Sequence, residues 1–503
     1  MNLETFRTWR GTAEALATTL KLAMPALGLR MTAPTVRTIR LWRSKRLITQ
    51  TDQRDFAYRQ ILESLTTAAL LQKGWTLAAI AQVLPLLAND TIEANLRGEA
   101  AGQVVSWVDG ADSSSSGILP SRSGTQRTEA AENATILLAQ GILREYERVL
   151  NQEWVRQDDG LPRELQAAMC RFGRLYIEEQ QEDRAACVHD VLARARYPLG
   201  GRQWGLAALR APDFRFADAV LVDPDFKVPT PDCATIADIA GAFGEDNLLE
   251  FRFHNRLREA SDRLGRERDG AYTAIRELIG RRSLLSEHEF AAWLVEQRLT
   301  PLQQSILEEF FQPVSELWHI NGYAHRCFYC GTLMRPHPDR ARFRDGRCPL
   351  RQCNGKRPPR VGERLDPMAG LHIAKPQILL YWTGPAIDDL AIYDEAKREG
   401  LFPELYPECD LCDVAIDGRA VGIDAKSYSS PVSLALRLNK SIGGLIHYRR
   451  RIIAVGDELL NIDPGYIATV CSTLEKRGDA ATLEILPVSK VVSSILRSAG
   501  VEK

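Results

Sequence analysis

Two pairs of cysteines place the tightest constraint on this chain. Cys327-x2-Cys330 is followed, after a gap of 17 residues, by Cys348-x4-Cys353. Pairs on turns at this separation can meet as four thiolates in a tetrahedron around zinc. Gly331 follows one pair and Asn354-Gly355 the other. Both residue types tolerate the positive φ that turns backbone N–H groups toward sulfur. The expectation is a zinc ribbon held by Cys327, Cys330, Cys348 and Cys353, with His325 and His337 as substitute ligands. Four thiolates leave no open position, so such a zinc is structural. From His325 to Arg364 there are eleven Lys or Arg residues against three acidic ones. That bias fits contact with a phosphate backbone. Cys409-x2-Cys412 has no second pair nearby and reads as buried thiols.

At 503 residues the chain exceeds a single hydrophobic core, so several domains are expected. Net charge is −1, and bulk electrostatics therefore do not mark a nucleic-acid binder. The start lacks a basic-then-apolar signal pattern, and the uncharged stretch from Gly74 to Asn89 is broken by Pro85. It is too short to span a bilayer, so a cytoplasmic protein without a membrane partner is expected.

The fold class expected is multidomain. Residues 1–100 read as an N-terminal all-α winged helix-turn-helix. It opens with an amphipathic helix (Leu16, Leu20, Leu22 and Met24) that Pro25 interrupts. Residues 101–129 read as a Ser/Gly-rich linker. Residues 130–320 read as a helical domain, with Ile136, Leu137, Ile142, Leu143, Tyr146 and Val149 near one helix face. No chemistry is legible in it. The zinc ribbon takes 321–365, and residues 366–503 alternate as α/β.

Within the first domain, Pro34 to Ile48 carries apolar Val36, Ile39, Leu41 and Trp42 and a basic face of Arg37, Arg40, Arg43, Lys45 and Arg46. A short wing through Asp52 to Ile61 follows, then Gly74-Trp75-Thr76-Leu77 and Ile80. Between Arg30 and Arg59 there are eight basic residues and two acidic ones. This order resembles the MerR-family winged helix-turn-helix. Thr38 to Trp42 match its recognition helix, Phe56 to Arg59 its wing, and the Gly74 segment its following helix. The resemblance implies DNA contact through Arg37, Arg40, Arg43, Lys45 and Arg59.

The chemistry is expected between Tyr406 and Tyr428. Asp413 to Ile416 alternates, Asp417-Gly418 signals a turn, and Ala420 to Lys426 forms a second strand. With the turn centred on Gly418-Arg419, Asp413 lies opposite Asp424; centred on Asp417-Gly418, the two are diagonal neighbours. Either way they share a sheet face, and Lys426, two residues beyond Asp424, joins them. Two carboxylates and the carbonyl of Ala425 can bind Mg²⁺ or Mn²⁺, with a lysine to steady the developing charge. Asp410 competes with Asp413 as first ligand. Arg449, Arg450 and Arg451 are candidates to grip the strand being cut. No phosphate-cradling GxxxxGK[ST] loop is present.

From Gly384 to the C-terminus these residues resemble the PD-(D/E)xK nuclease superfamily. That implies a restriction-endonuclease-like core and an acidic residue on the preceding helix, here Asp389, with Glu395 as the weaker choice. The superfamily uses Glu more often at that position. The whole order, with Tyr406-Pro407-x2-Asp410-x2-Asp413 ahead of Asp424-x-Lys426, resembles the nucleases that accompany PIWI-like proteins of the prokaryotic pPIWI-RE group. The implied function is a metal-dependent DNA endonuclease, hydrolysing phosphodiester bonds in defence against phage or plasmid DNA. It would act beside a PIWI-like protein and a helicase, and a homodimer is compatible. The competing readings are a MerR-like transcription regulator, dimerising through a helix at 130–157, and a complex scaffold with an inactive nuclease fold.

Overall fold

A computed structural model describes residues 6–27, 29, 33–44, 47–49, 55–72, 80, 84, 89–97, 124–150, 160–239, 249–262, 268–354 and 358–498. The chain divides into two compact units, residues 1–121 and 122–503. Among the described residues no helix is long and apolar enough to cross a membrane.

The first unit is built on α1 (Ala13–Ala26), α2 (Val36–Ser44), α3 (Tyr58–Gln72) and α4 (Asn89–Arg97), with a ribbon of β1 (Arg10–Gly11) and β2 (Phe56–Ala57). Thr12 caps α1, its side chain accepting from the Ala15 N–H. Leu16, Leu20, Ala23 and Met24 are buried at helical spacing. Two details of the expected helix change. Pro25 lies inside its last turn rather than ending it, and Leu22 is 74% exposed. In α2, Ile39 and Trp42 turn inward while Arg37 and Arg40 face solvent. The segment Gly74–Ala79 and Lys45 lie outside the described residues; Ile80 is buried.

The second unit opens with α5 (Gly124–Leu150), which starts inside the stretch expected to be linker; 101–123 lie outside the described residues. Its apolar face (Ala131, Ala134, Leu138, Ala139, Ile142 and Leu143) is buried against α6 (Arg163–Glu178) and α7 (Pro231–Ala237). A methyl group on Gly141 would lie 2.6 Å from Leu165 Cα, so α5 and α6 approach as closely as glycine permits. Val149, expected on this face, is exposed.

After α8 (Arg268–Arg281) come β3 (Leu284–Ser286) and β4 (Phe311–Pro313). Then β5 (Ala324–Cys327) and β6 (Val361–Leu365) pair antiparallel as the ribbon, and β7 (Leu371–Ala374) joins β3 and β4. One hydrophobic core runs from Phe226 to Ile495. The boundaries expected at 320 and 365 therefore do not divide the core. The strands of the supposed helical region pair with β7 beyond the cysteines.

The C-terminal sheet has the order β12-β11-β10-β9-β8. These are β8 (Pro403–Leu405), β9 (Val414–Ile416), β10 (Val421–Lys426), β11 (Arg450–Val455) and β12 (Leu483–Pro487). β8, β9 and β10 are antiparallel, whereas β10, β11 and β12 are parallel. Both faces are covered, so β11 reads as a continuous apolar run, Ile452 to Val455, all buried. Ile423, Ala425, Ile452 and Ala454 pack in the same core as Ala386, Leu390 and Ile392 of α9 (Gly384–Arg398). Ala415, Ile453 and Val455 pack on the other face with Leu434, Ala435 and Leu438 of α10 (Pro431–Lys440).

Candidate active site

The hairpin β9–β10 closes on Ile416 and Val421, which leaves Asp417 to Ala420 as a loop centred on Gly418-Arg419. Asp417 and Gly418 take φ of 50° and 65°, the left-handed conformation that Asp-Gly tolerates. At the far end, the Asp413 N–H donates to the Ile423 carbonyl at 3.1 Å and to Asp424 Oδ1 at 3.2 Å. Asp413 Oδ2 accepts from the Ala425 N–H at 2.8 Å. In a strand, the N–H and C=O of one residue point the same way. The Ala425 carbonyl is therefore directed to the Asp413 side, where the ladder has ended. Lys426 Nζ stands 3.3 Å from Asp424 Oδ2.

Burial pushes the Asp413 carboxyl up to about 8, helped by Asp424 and Asp410 and opposed by Lys426 and Arg276. Asp389 comes from α9 and is 1% exposed. Its Oδ2 accepts from Tyr406 Oη at 3.2 Å, and its buried Oδ1 has no hydrogen-bond partner. Burial, then the charge of Asp413, raise its pKa far above the usual carboxylate range. Among the described residues the oxygens of Asp389, Asp413 and Asp424 do not all lie within 4.8 Å of one another. Asp413, Asp424 and Lys426 are gathered at one strand end, and Asp389, on α9, is near enough to feel the Asp413 charge.

Asp410 is held elsewhere. Its Oδ2 accepts from Tyr272 Oη at 2.9 Å and lies 3.3 Å from Arg276 Nε, both on α8. Tyr406, Glu408, Cys409 and Asp410 take φ between 48° and 77°. Left-handed backbone at non-glycine residues costs about 1–3 kcal/mol each and persists where surroundings enforce it. Here fully buried Tyr406 and the Asp410 pairing enforce it. One oxygen of Asp410 is thus engaged by α8, while its Oδ1 is buried without a hydrogen-bond partner.

Arg276 is a residue that sequence reasoning missed. It is buried, with its guanidinium over the rings of Trp382 at 4.4 Å and Tyr406 at 4.6 Å. Its signal was a charge on the buried stripe of α8, between Tyr272 and Ile279. A second missed group holds the segment after Lys426. Asp232 accepts from the Ser429 N–H (2.8 Å), Ser429 Oγ (2.6 Å) and the Ser430 N–H (3.0 Å). Arg351 Nη2 and Gln352 Nε2 both donate to Ser427 Oγ at 2.7 Å. These groups line one cleft of about 1000 Å³, together with Asp389, Asp410, Asp413, Asp424 and Lys426.

The four sulfurs of Cys327, Cys330, Cys348 and Cys353 lie within 4.8 Å of one another, with pairs at 3.5 and 3.7 Å. Tetrahedral zinc with bonds of ~2.3 Å sets sulfurs ~3.8 Å apart, so the residues fit that ion. His325 and His337 are not in the group: their Nδ1 atoms bond to Asp345 O and the Asp339 N–H. Cys409 and Cys412 are buried free thiols.

Arg449, Arg450 and Arg451 do not reach the site. Arg450 pairs with Val421, whereas Lys426 pairs with Val455. That places the arginines five residues back along the strands, ~16 Å at the usual rise. Arg450 is bound to Glu484 and Ser494, and Arg451 to Thr482 and two backbone carbonyls. In the first unit, Arg37 and Arg40 are exposed and Arg43 lies over Phe56 at 5.5 Å. Arg59 is turned inward instead, bonded to Glu63 at 2.7 Å, Asn89 at 2.9 Å and Leu84 O at 3.1 Å.

Residues 386–503 match a family model described as "REase associating with pPIWI_RE". The matched region holds Asp389, Asp413, Asp424 and Lys426 and is similar to a restriction-endonuclease-like domain. It includes neither the cysteine cluster nor the first unit. No curated protein and no solved structure gives a significant match.

Proposed function

We propose that the chain is a metal-dependent DNA endonuclease whose centre is Asp413, Asp424, Ala425 and Lys426. The observation that carries this reading is the strand end at which the Asp413 N–H bonds to the Asp424 carboxylate, the Asp413 carboxylate accepts from the Ala425 N–H, and Lys426 Nζ pairs with Asp424. Crowded, poorly hydrated carboxylates are a fitting donor set for a hard divalent cation. The orphaned Oδ1 of Asp389 extends that set. Mg²⁺ or Mn²⁺ bound there would polarise the scissile phosphate and lower the pKa of the attacking water.

The chain's own groups have separable roles. Asp413 spends one oxygen on the Ala425 N–H and keeps the other for the cation. Asp424 stands beside it, and Lys426 supplies a positive charge toward the phosphate. Asp389 and Tyr406 fix the orientation of the cluster from the helix side. Cys327, Cys330, Cys348 and Cys353 would hold structural zinc. Arg37, Arg40 and Arg43, with Lys45, would bring the protein to DNA through a MerR-like domain. The family match supports a PIWI-like partner, and a role in defence with a helicase follows from the same resemblance.

The regulator reading loses support from α5. Its apolar face is buried in the core of its own unit and is not free to dimerise.

The test is nicking of supercoiled plasmid in Mg²⁺ or Mn²⁺. Wild type should cleave, EDTA should stop it, and Asp424→Ala and Lys426→Ala should each lose about 100-fold or more, the usual cost of removing a charge-stabilising group. Cleavage that survives both substitutions would overturn the site. Defence function retained by Asp424→Ala would favour a scaffold.

A further inference from the structure

The nuclease reading leaves a polyanion to be held over an acidic floor. Asp389, Asp410, Asp413 and Asp424 all line the cleft and offer a phosphate backbone no positive charge. The arginines that the sequence offered for this task stand at the other end of the sheet. Seven Lys or Arg residues line the cleft. Five have partners there: Arg276 with Asp410, Arg347 with Asp225, Arg351 with Ser427, Lys426 with Asp424 and Lys440 with Asp238. Arg196 and Arg437 remain. Among the described residues, neither side chain has a hydrogen bond or an ion pair. The Nε of Arg196 is moreover buried without an acceptor.

A buried donor without an acceptor is unfavourable, so Arg196, lining the cleft with its Nε orphaned, points to an acceptor that arrives with a ligand, and the unpaired Arg437 offers a second cation on the same cleft. Guanidinium matches the fork of two phosphate oxygens. The two arginines come from different parts of the chain. Arg437 is on α10, the helix that follows the catalytic strand, and Arg196 lies in the helical region before α7. Resting on the nuclease reading, we propose that Arg196 and Arg437 hold backbone phosphates of the nucleic-acid strand in the cleft. They set its position relative to Asp424 and Lys426 and take no part in the reaction itself.

The experiment uses the full chain carrying Asp424→Ala, so that bound strands stay intact. Fluorescence anisotropy follows a labelled 20-nucleotide single strand and the matching duplex across a potassium chloride series. Arg196→Gln and Arg437→Gln should each lower the slope of log affinity against log salt by about 0.7 on single strands or 0.9 on duplex. Arg→Lys at either position should keep the slope. The form that shows the loss is the form that occupies the cleft. With Asp424 restored, KM should rise about tenfold while kcat stays within about twofold, the pattern of lost uniform binding. Unchanged slopes for both glutamine variants on both nucleic acids, at unchanged melting temperature, would overturn the proposal. Wild-type plasmid cleavage is scored separately. Its absence counts against the nuclease reading, whereas an unchanged slope counts against these two arginines alone.

Discussion

Asp413 shows how far burial among other carboxylates can push a single residue's titration. Burial lifts its carboxyl to about 8, against an ordinary value near ~3.9 in an unfolded chain. The folded state therefore binds this proton more tightly than the unfolded state. The resulting stabilisation is complete below about pH 4 and is lost as pH rises through about 8. The metal-free protein should melt at progressively lower temperature between about pH 5 and 9, and Asp413→Asn should flatten that slope. Cation binding requires the carboxylate, so Mn²⁺ affinity should climb by up to about tenfold per pH unit below 8 and level off above it. Calorimetry in buffers of different ionisation enthalpy should find at least one proton released per ion below pH 7, from Asp413, and a second from Asp389 when it joins the donor set. Affinity independent of pH from 6 to 8.5 would show that Asp413 is already ionised or does not bind the ion. At this scale the sequence was informative where neighbours along a strand decide the geometry. Asp424 and Lys426 share a face because of period-two alternation, and Asp413 joins them through a short hairpin. Arg276 and Asp232 were illegible because their partners, Asp410 and Ser429, are remote in the chain.

Elements depend on one another in ways that spacing alone does not reveal. The cysteine pattern was readable because knuckle turns and metal geometry are local. Its consequence for the active site was not. Arg351 and Gln352 lie between Cys348 and Cys353, and their bonds to Ser427 tie the second knuckle to the end of β10. We expect one zinc per chain by elemental analysis, and none in Cys348→Ser. That substitution should lower the melting temperature and reduce cleavage by about tenfold or more, since small displacements of positioning groups are costly. Gln352→Glu, with all four cysteines intact, should keep the zinc and still reduce cleavage. Full activity in a zinc-free Cys348→Ser protein would disconnect the ribbon from the catalytic strand. The N-terminal helices illustrate the complementary limit. The inward Ile39 and Trp42 of α2 follow from periodicity, whereas Arg59, in the position expected of a wing residue, is drawn inward by Glu63 one turn along α3.

For the whole molecule, the decisive fact is that the C-terminal sheet does not own its core. Leu379, Trp382, Ala386 and Leu390 pack in one cluster with Phe253, Tyr272, Ile275 and Phe310, and β7 has both of its partner strands in earlier sequence. Composition changes near residue 365, where a domain boundary is expected from sequence. A change of composition marks a change of element type, and it carries no information about which surfaces cover one another. A fragment of residues 366–503 would leave these apolar side chains without cover. Each large buried side chain is worth ~1.5–3 kcal/mol, so several such losses exceed the ~5–15 kcal/mol that holds a domain folded. The fragment should bind a hydrophobic dye and unfold without a sharp urea transition. Residues 122–503 contain the entire core and should unfold cooperatively. That longer fragment should also cleave with a kcat within about threefold of the full chain. Its affinity for DNA should be weaker and less dependent on salt, because the phosphate contacts assigned to Arg37, Arg40 and Arg43 are gone. A cooperatively folded, active 366–503 fragment would instead establish the C-terminal region as an autonomous enzyme, with the helical region reduced to an attachment.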